Sequence, residues 1–253
     1  MENDSNKKKI CFITTYMADE NSNMNNNLRG RVPKGLTLNK SFGNYDFYLF
    51  TNIKNFSLPN WTSILLSNDF LDKQIKVNSN TKIKKNVYRS RYPKFMGWKY
   101  LKEVMNKDYD IIFYSDIHIN IHESHDWQNY AIDIMNSDWG IMQMMHPRKN
   151  TIYKECNDIN KLKIDDMTKT IHFLNDNSAD ENYLITQNGI FGYTPKNEKI
   201  LNAFNMFWDI YTTTKMSYRD QPLWGYVSWK LNINPVINNT LYDGWNRQAC
   251  MKI

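Results

Sequence analysis

The chain has 253 residues, of which 41% are hydrophobic and 14% aromatic, and it carries a formal net charge of +6. This much apolar surface excludes a disordered chain and is enough for the core of one large domain. The 32 basic residues are dispersed among 26 acidic ones, whereas nucleic-acid-binding proteins concentrate their basic residues on one face. We therefore predict a globular protein that binds no nucleic acid.

Three cysteines, an odd number without metal-ligand spacing, indicate buried thiols in a reducing compartment. The apolar run after Lys9 is too short and too mixed for a signal peptide. No apolar stretch approaches the ~18 residues of a membrane-spanning helix. We expect a soluble cytoplasmic protein without a transmembrane segment, in the host cytoplasm if the AT-rich, Asn-rich coding bias reflects a virus.

The first part of the chain is predicted to contain mostly strands. Apolar, β-branched segments over 9–16 and 45–51 are typical of buried strands, and 61–66 is a third candidate. Pro93 is predicted to open a helix, because proline suits the first helical turn. The wholly apolar strand that follows, over 110–116, is typical of a parallel sheet covered on both faces.

The second part of the chain is predicted to alternate helices and strands. The sequence contains no linker and no repeat, so we predict one α/β domain over 1–253. The predicted elements are a helix over 126–136, a strand over 139–145, two helices within 153–174, a strand over 187–193, a helix over 195–213, and a last helix that starts at 219–222.

The strongest local signal is Asp116-Ile117-His118, directly after a buried strand. In open α/β sheets, ligands bind beyond the carboxyl ends of the strands, and alternate residues of an extended segment point the same way. Asp116 and His118 can therefore reach one divalent ion. Carboxylates suit Mg²⁺ or Mn²⁺ and an imidazole favours Mn²⁺. Such an ion would neutralise a diphosphate.

A second signal is Asp220, between Arg219 and Gln221 at the start of a predicted helix. One interpretation is a helix N-cap, in which the carboxylate accepts hydrogen bonds from backbone N–H groups. The other is a carboxylate that acts as a base or binds the hydroxyl groups of a substrate.

Two weaker groups of polar residues also lie at predicted element ends. His146 and Arg148 follow a strand, with no specific spacing. Arg89, Arg91 and Lys94 lie around the start of a predicted helix. These cations fit either phosphate partners or a solvated helix face.

The order of these motifs resembles that of a known family. The motifs are Thr14-Thr15-Tyr16, Phe50-Thr51-Asn52, Arg91-Tyr92-Pro93-Lys94, Ser115-Asp116-Ile117-His118, His146-Pro147-Arg148 and Arg219-Asp220-Gln221. Over about residues 9 to 235, the chain resembles the glycosyltransferase family once designated DUF616, which is related to plant wall-polysaccharide transferases. The resemblance implies a GT-A fold, a Rossmann-like α/β domain with a mostly parallel central sheet flanked by helices. It also implies a UDP-sugar donor and a divalent metal.

The resemblance assigns roles to the motif residues. Donor contacts would come from Thr14, Thr15, Tyr16, Asn52, Arg91, Lys94, Ser115 and Asp116. Contacts to the sugar or the acceptor would come from His146, Arg148, Glu155 and Trp245. Asp116 and His118 would hold the metal, with His118 where the family pattern has a second aspartate. The nucleotide-binding part would span about 9–120 and the acceptor part about 121–253.

The implied reaction moves a sugar from the UDP-sugar to a hydroxyl of a glycan or glycoconjugate. If the anomeric centre is inverted, which we favour, Asp220 would be the base, assisted by Arg219 and Gln221. If the configuration is retained, Asp220 would orient the sugar. The alternatives are a metal-dependent nucleotidyltransferase and a non-catalytic glycan-binding protein with the same fold.

Overall fold

The computed structural model describes residues 7–19, 45–77, 84–119, 121 and 124–241. The strands are β1 (Ile10–Tyr16), β2 (Asp46–Thr51), β3 (Thr62–Leu65), β4 (Ile111–Ser115), β5 (Ile141–Met145), β6 (Thr186–Tyr193) and β7 (Val236–Ile237). The helices are α1 (Asn68–Gln74), α2 (Lys85–Glu103), α3 (Trp127–Asn136), α4 (Ile152–Lys161), α5 (Thr168–Asp176), α6 (Glu198–Thr214) and α7 (Asp220–Lys230).

All seven strands form one sheet, in the order β3-β2-β1-β4-β6-β5-β7. Strands β1 to β4 pair in parallel, and so do β5 and β7, whereas β6 runs antiparallel to both β4 and β5. Because β6 is reversed, its first residues lie beside the last residues of β4 and β5, with Met145 opposite Thr186. One edge of the sheet therefore gathers the ends of β1, β2, β4 and β5 and the start of β6.

Hydrophobic cores cover both faces of the sheet, as continuous apolar strands predict. On one face, Ile13 packs with residues of α2, α6 and α7, where the rings of Phe95 and Phe207 lie 4.0 Å apart. On the other face, Phe12 packs against Trp127 of α3, with ring centroids 5.0 Å apart. The same residue alternation along β1 thus serves two separate cores.

The start of α2 differs from the prediction. The helix begins at Lys85, so Pro93 lies inside it rather than at its first turn. A proline within a helix has no N–H to donate. Tyr88, Tyr92 and Phe95 lie along one buried stripe of this helix, and their packing outweighs the missing hydrogen bond.

Other predicted boundaries agree closely or shift slightly. Pro195 lies in a turn before α6, which begins after the N-cap Asn197, whose side chain accepts a hydrogen bond from the N–H of Lys199. The short elements α1 and β7 were not predicted from the sequence.

Within the described residues, no helix combines the length and the apolarity needed to cross a membrane.

Candidate functional site

Four charged side chains meet at the sheet edge that gathers the strand ends. Arg91 and Lys94 lie three residues apart on α2, a spacing that places both on one side of the helix. Asp116 directly follows β4, and Asp220 is the first residue of α7. Three distant segments of the chain thus bring two cations and two carboxylates together. We call Arg91, Lys94, Asp116 and Asp220 the charged cluster.

Asp220 is the most tightly held member of the charged cluster. Its Oδ1 lies 2.8 Å from Nε of Arg91, and its Oδ2 lies 2.7 Å from Nζ of Lys94. Only 5% of the residue is exposed. Burial alone would raise the pKa of Asp220, but Arg91 and Lys94 hold it well below its ordinary value. Asp220 is therefore an ionised carboxylate with a cation at ion-pair distance from each of its oxygens.

The N-cap interpretation of Asp220 is wrong. The N-cap residue of α7 is Arg219, which makes no side-chain capping hydrogen bond, and Asp220 is already helical. The carboxylate points instead to the two cations of α2. An acidic residue in the first helical turn still interacts favourably with the helix dipole.

Lys94 connects the two carboxylates. Besides its contact with Asp220, its Nζ lies 3.9 Å from Oδ1 of Asp116, and only 3% of its side chain is exposed. The Tyr114 hydroxyl donates a 2.7 Å hydrogen bond to the same Asp116 oxygen. Burial, reinforced by Asp116, raises the pKa of Tyr114 well above its ordinary value, so this hydroxyl keeps its proton.

Asp116 has one oxygen available for a metal ion. Its Oδ2 accepts no hydrogen bond from the described residues, and the side chain is 30% exposed. His118 follows in the partly exposed turn after β4. No group of three or more His, Cys, Asp or Glu side chains with metal-binding geometry occurs within the described ranges. Within the described residues, Asp116 and His118 thus offer at most two protein ligands, and a divalent ion here would need its remaining ligands from water or a bound ligand.

Gln221 anchors α7 to the start of β6. Its Oε1 accepts a 3.1 Å hydrogen bond from the N–H of Asn188, and its Nε2 donates to the carbonyl of Thr186. The Asn188 side chain accepts in turn from Gln143, at 3.3 Å. Sequence reasoning missed Gln143 and Asn188, although both are polar residues within apolar strands. Gln221 therefore supports the position of Asp220 from the strand side.

The first predicted donor motif lies at the ends of β1 and β4. The Thr14 hydroxyl donates a 2.7 Å hydrogen bond to the Ser115 carbonyl and is 2% exposed. This bond ties the two strands together. The buried Thr15 hydroxyl has no hydrogen-bond partner among the described residues, and the ring of Tyr16 packs at 4.6 Å from that of Phe56. Thr15 therefore has a hydroxyl group left to bind a ligand.

Asn52 is held by the protein itself. Its Oδ1 accepts from the N–H of Ala18, and its Nδ2 donates to the carbonyl of Ala18, both at 2.9 Å. The same Nδ2 also donates to Oδ1 of Asn68 at 2.8 Å. These bonds account for a buried asparagine at a strand end without any ligand.

Arg89 and Arg219 do not join the charged cluster. Arg89 pairs with Asp72, with a distance of 2.7 Å between Nε and Oδ1, so it is a structural cation. Arg219 forms no ion pair with Asp220 or any other described carboxylate within 4.0 Å. Its charge still contributes to the lowered pKa of Asp220, and its predicted part in assisting Asp220 stays a prediction.

A second polar group lies farther along the same edge, around the end of β5. Nε2 of His146 lies 3.5 Å from Oε2 of Glu155, which also accepts a 2.8 Å hydrogen bond from Asn150. Burial lowers the pKa of His146, although Glu155 acts in the opposite direction. Arg148 reaches Asp158 at 4.0 Å. The structure thus brings His146 and Glu155 together, while Trp245 lies outside the described residues.

The fold is similar to solved structures of glycosyltransferases. The bifunctional glycosyltransferase WbbM, in its apo form, superposes with a TM-score of 0.53 at 11% identity, over 91% of this chain and 39% of WbbM. This chain therefore spans well under half the length of WbbM. The likeness confirms the predicted fold, an α/β domain of GT-A type with a mostly parallel sheet flanked by helices.

Two further structures are less similar. Mouse xyloside xylosyltransferase 1, apo form, gives a TM-score of 0.48 at 12% identity, over 96% of this chain and 91% of that one. The galactosyltransferase LgtC, in complex with donor and acceptor sugar analogues, gives 0.41 at 11% identity, over 84% of this chain and 68% of LgtC. No family model and no curated protein matches the sequence. The family resemblance read from the motifs therefore stays a prediction.

Proposed function

We propose that this protein transfers a sugar from a UDP-sugar to a hydroxyl of a glycan or glycoconjugate. The observation that carries the proposal is the charged cluster, with the buried Lys94 and the half-buried Arg91 at the sheet edge where an α/β fold binds its ligands. The likeness of the fold to that of a glycosyltransferase supports it.

The donor diphosphate binds beside Arg91 and Lys94 in this proposal. Their charges are already balanced by Asp116 and Asp220, so a diphosphate brings negative charge that the cluster alone does not neutralise. A Mn²⁺ ion, preferred over Mg²⁺ because of His118, would be held by Asp116 and His118 and would stabilise the charge of the leaving UDP. Tyr114 fixes the Asp116 carboxylate for this task.

The environment of Asp220 favours an orienting role over that of a base. A general base works best when its pKa lies near the operating pH, whereas Arg91 and Lys94 hold the pKa of Asp220 well below its ordinary value. Accepting a proton would also break two short ion pairs. We therefore propose that Asp220 positions Arg91, Lys94 and the donor sugar, as in the retaining alternative, with Gln221 fixing the helix start.

The acceptor lies on the side of His146 and Glu155 in this proposal. The imidazole, neutral near pH 7 because burial lowers its pKa, has a buried Nδ1 without a hydrogen-bond partner among the described residues. A neutral imidazole can donate one hydrogen bond and accept another, which suits a sugar hydroxyl. Arg148 belongs to the same proposed acceptor side, and Trp245, which lies outside the described residues, stays a predicted acceptor contact.

Release of UDP tests the proposal. The full chain is incubated with a panel of UDP-sugars and Mn²⁺, and free UDP is measured with and without glycan acceptors. Lys94→Gln removes a cation of the cluster, while Lys102→Gln removes an exposed lysine of the same helix. We expect a loss of at least roughly 100-fold for the first variant, the scale of a misplaced reacting group, and no change for the second.

Binding assays separate the alternatives. Thermal shifts with UDP, GDP, CMP and nucleoside triphosphates, each with Mn²⁺, reveal which nucleotide the protein prefers. Preference for triphosphates would support a nucleotidyltransferase instead. Binding of glycans with no response to any nucleotide would support a non-catalytic glycan-binding protein, and either result would overturn the proposal.

A further inference from the structure

The pairing of β5 with β6 is interrupted at Gln143. On β5, this one residue separates two paired residues, whereas on β6 the four residues 188–191 separate their partners, Gln187 and Gly192. Four residues of β6 therefore lie opposite one residue of β5. Irregularities of this kind re-aim side chains and are common next to active sites.

Gln143 is a buried amide in a strand of apolar residues. Only 1% of it is exposed, and its neighbours Met142 and Met144 are buried too. Burying an amide is unfavourable unless it is hydrogen-bonded. Its Oε1 accepts a 3.4 Å hydrogen bond from Nε1 of Trp224 in α7, and its Nε2 donates to Oδ1 of Asn188 in β6 at 3.3 Å. The side chain thus bridges the helix and the strand where the regular pairing stops.

The bridged part of β6 links the two carboxylates of the charged cluster. The Asn188 N–H donates a 3.1 Å hydrogen bond to Gln221, which directly follows Asp220. The next carbonyl along β6, that of Gly189, accepts a 2.7 Å hydrogen bond from the N–H of Asp116. Two adjacent residues of β6 and two hydrogen bonds therefore connect the segment of Asp220 to that of Asp116.

The separation of these carboxylates matters because one cation contacts both. Nζ of Lys94 lies 2.7 Å from Asp220 and 3.9 Å from Asp116. A shift of one carboxylate relative to the other would therefore move the lysine charge. We infer that Gln143 is a positioning residue, which fixes the separation of Asp116 and Asp220 and, being buried, touches no substrate. The inference rests on the sugar-transfer function proposed above.

A role in packing alone would not need the amide of Gln143. Methionine is similar in length, and it already occupies the buried positions on either side. The two hydrogen bonds of the amide largely offset the cost of burying it. What the amide adds is a defined orientation, because hydrogen bonds depend on direction whereas the packing of a flexible apolar side chain does not.

Hydrogen exchange followed by mass spectrometry tests the link without any substrate. In Gln143→Met, backbone amides at the start of β6, at the start of α7 and just after β4 should exchange at least about fivefold faster, the scale of one lost hydrogen bond. Exchange in β1 should not change, whereas a general loss of stability would accelerate it as well.

Gln128→Met is the matched control. The Gln128 amide also makes two hydrogen bonds, with the backbone N–H and carbonyl of Lys8 at 2.8 and 3.2 Å, but it lies near the start of β1 rather than at the charged cluster. This variant should leave exchange in the three segments unchanged.

UDP release measures the consequence for the reaction. It is followed with UDP-glucose, UDP-galactose and UDP-xylose in the presence of Mn²⁺. Gln143→Met should lower kcat at least about 10-fold, because a misplaced reacting group costs this much or more. KM for the donor should stay within about threefold of the wild-type value, because α2 carries the cations proposed to receive the diphosphate. Gln128→Met should change neither constant.

A double-mutant cycle with Gln221→Met separates positioning from independent packing effects. If both glutamines act through one link, the double variant should lose no more kcat than the more damaged single variant. Losses that multiply would show that the two residues act independently, and they would overturn the inference. Unchanged exchange in the three segments would overturn it as well.

The two assays fail separately. Wild-type turnover that Gln143→Met does not lower would refute the positioning role alone. A chain that releases no UDP from any of the UDP-sugars, but whose exchange responds to Gln143→Met, would refute the sugar-transfer function and leave the link between Asp116 and Asp220 standing.

Discussion

The position of Asp220 requires a negative charge, because a neutral residue there would leave two neighbouring cations unpaired. Both of its oxygens face cations at 2.7–2.8 Å, in surroundings that exclude most water. Removing one partner of such a buried pair leaves the other charge unpaired, which costs about 3–5 kcal/mol. The carboxylate therefore stabilises Arg91 and Lys94 in place before any substrate binds.

The first prediction separates the two roles of Asp220. Asp220→Asn should reduce sugar transfer to a hydroxyl acceptor by at least about 100-fold, because the cations and the donor sugar lose their positioning. Azide, which needs no deprotonation, should be glycosylated equally poorly by the variant. Transfer rates to both acceptors are measured side by side, with Asp209→Asn as the control, since Asp209 pairs with Lys76 on the exposed surface.

If azide is glycosylated by Asp220→Asn at close to the wild-type rate, Asp220 acts as a general base and the orienting role is wrong. A base matters only for an acceptor that must lose a proton. An orienting carboxylate matters for every acceptor. The ratio of the two rates thus decides between the roles even if the variant is less stable than the wild type.

The second prediction concerns His146 and acid stability. Burial lowers the pKa of His146 in the folded protein, so the unfolded state binds the proton more readily. The folded state should therefore lose stability as the pH falls below the ordinary histidine value of about 6.5. His146→Gln should reduce this loss between pH 7 and pH 5, whereas His172→Gln, at an exposed position of α5, should leave it unchanged. Urea unfolding at several pH values measures the effect; equal slopes in both variants would contradict it.

Residue types at the site were predictable, but their partners were not. The sequence pointed to Asp116, Asp220, Arg91 and Lys94, because a charged residue next to an apolar strand or at a helix start is costly to bury unless it is paired or functional. The choice between an N-cap and an ion pair at Asp220 depends on α2, a distant segment of the chain. Asn52 shows the same limit, since its hydrogen bonds to Ala18 and Asn68 depend on the folded arrangement.

At the level of elements, the strands predicted from apolar runs agree with the structure. The helix starts predicted at Pro93 and Pro195 do not, because α2 begins before Pro93 and α6 begins after Pro195. The runs that form β1, β2 and β4 were recognisable because a strand covered on both faces is apolar throughout. The start of α2 was wrong because the buried tyrosines before Pro93 outweigh the local preference of proline. The two-residue strand β7 has too little sequence to form a pattern.

The third prediction tests the contact between β4 and β6. Gly192 lies opposite Phe113, and a Cβ at this glycine would come within 2.3 Å of the Phe113 ring. That ring is fixed between Phe12 and Trp127, so it has little room to move. Gly192→Ala should lower the free energy of unfolding by about 1–3 kcal/mol, the usual scale of overpacking.

Gly97 of α2 provides the matched control for this substitution. A Cβ there meets only the terminal Cδ1 of Ile13, at 2.9 Å, an atom that a side-chain rotation can displace. Alanine is also favoured over glycine within a helix by about 1 kcal/mol. Gly97→Ala should therefore fall between no change and a gain of about 1 kcal/mol in urea unfolding. Equal destabilisation by both substitutions would contradict the proposed rigidity of Phe113.

At the scale of the whole molecule, the net charge and the fold class could be predicted from the sequence, whereas one strand direction could not. The net charge of +6 is spread along the sequence, which favours anionic ligands in general. The fold class followed from the alternation of apolar strands and helices. The reversed direction of β6 did not follow from it, because strand direction depends on pairing between distant segments.

The fourth prediction is stabilisation by the donor nucleotide. A ligand at 100 times its dissociation constant stabilises the folded state by about 2.7 kcal/mol, which corresponds to roughly 5–10 °C in Tm for a chain of this size. UDP with Mn²⁺ should produce such a shift, and EDTA should abolish most of it. Scanning calorimetry of the wild type and Asp116→Ala provides the measurement. An equal shift in the variant would argue against the proposed metal ligands.

The wide separation of the charged cluster along the chain also has a kinetic consequence. Lys94 and Asp220 lie far apart along the chain, so a long loop must close before the two side chains can meet. Contacts between distant segments form late and slowly, because loop closure must precede them. Nucleotide binding should therefore reappear only in the final phase of refolding, after most helical structure has returned. A nucleotide-binding assay would then measure the return of the complete fold, whereas circular dichroism would measure only the earlier return of helical structure.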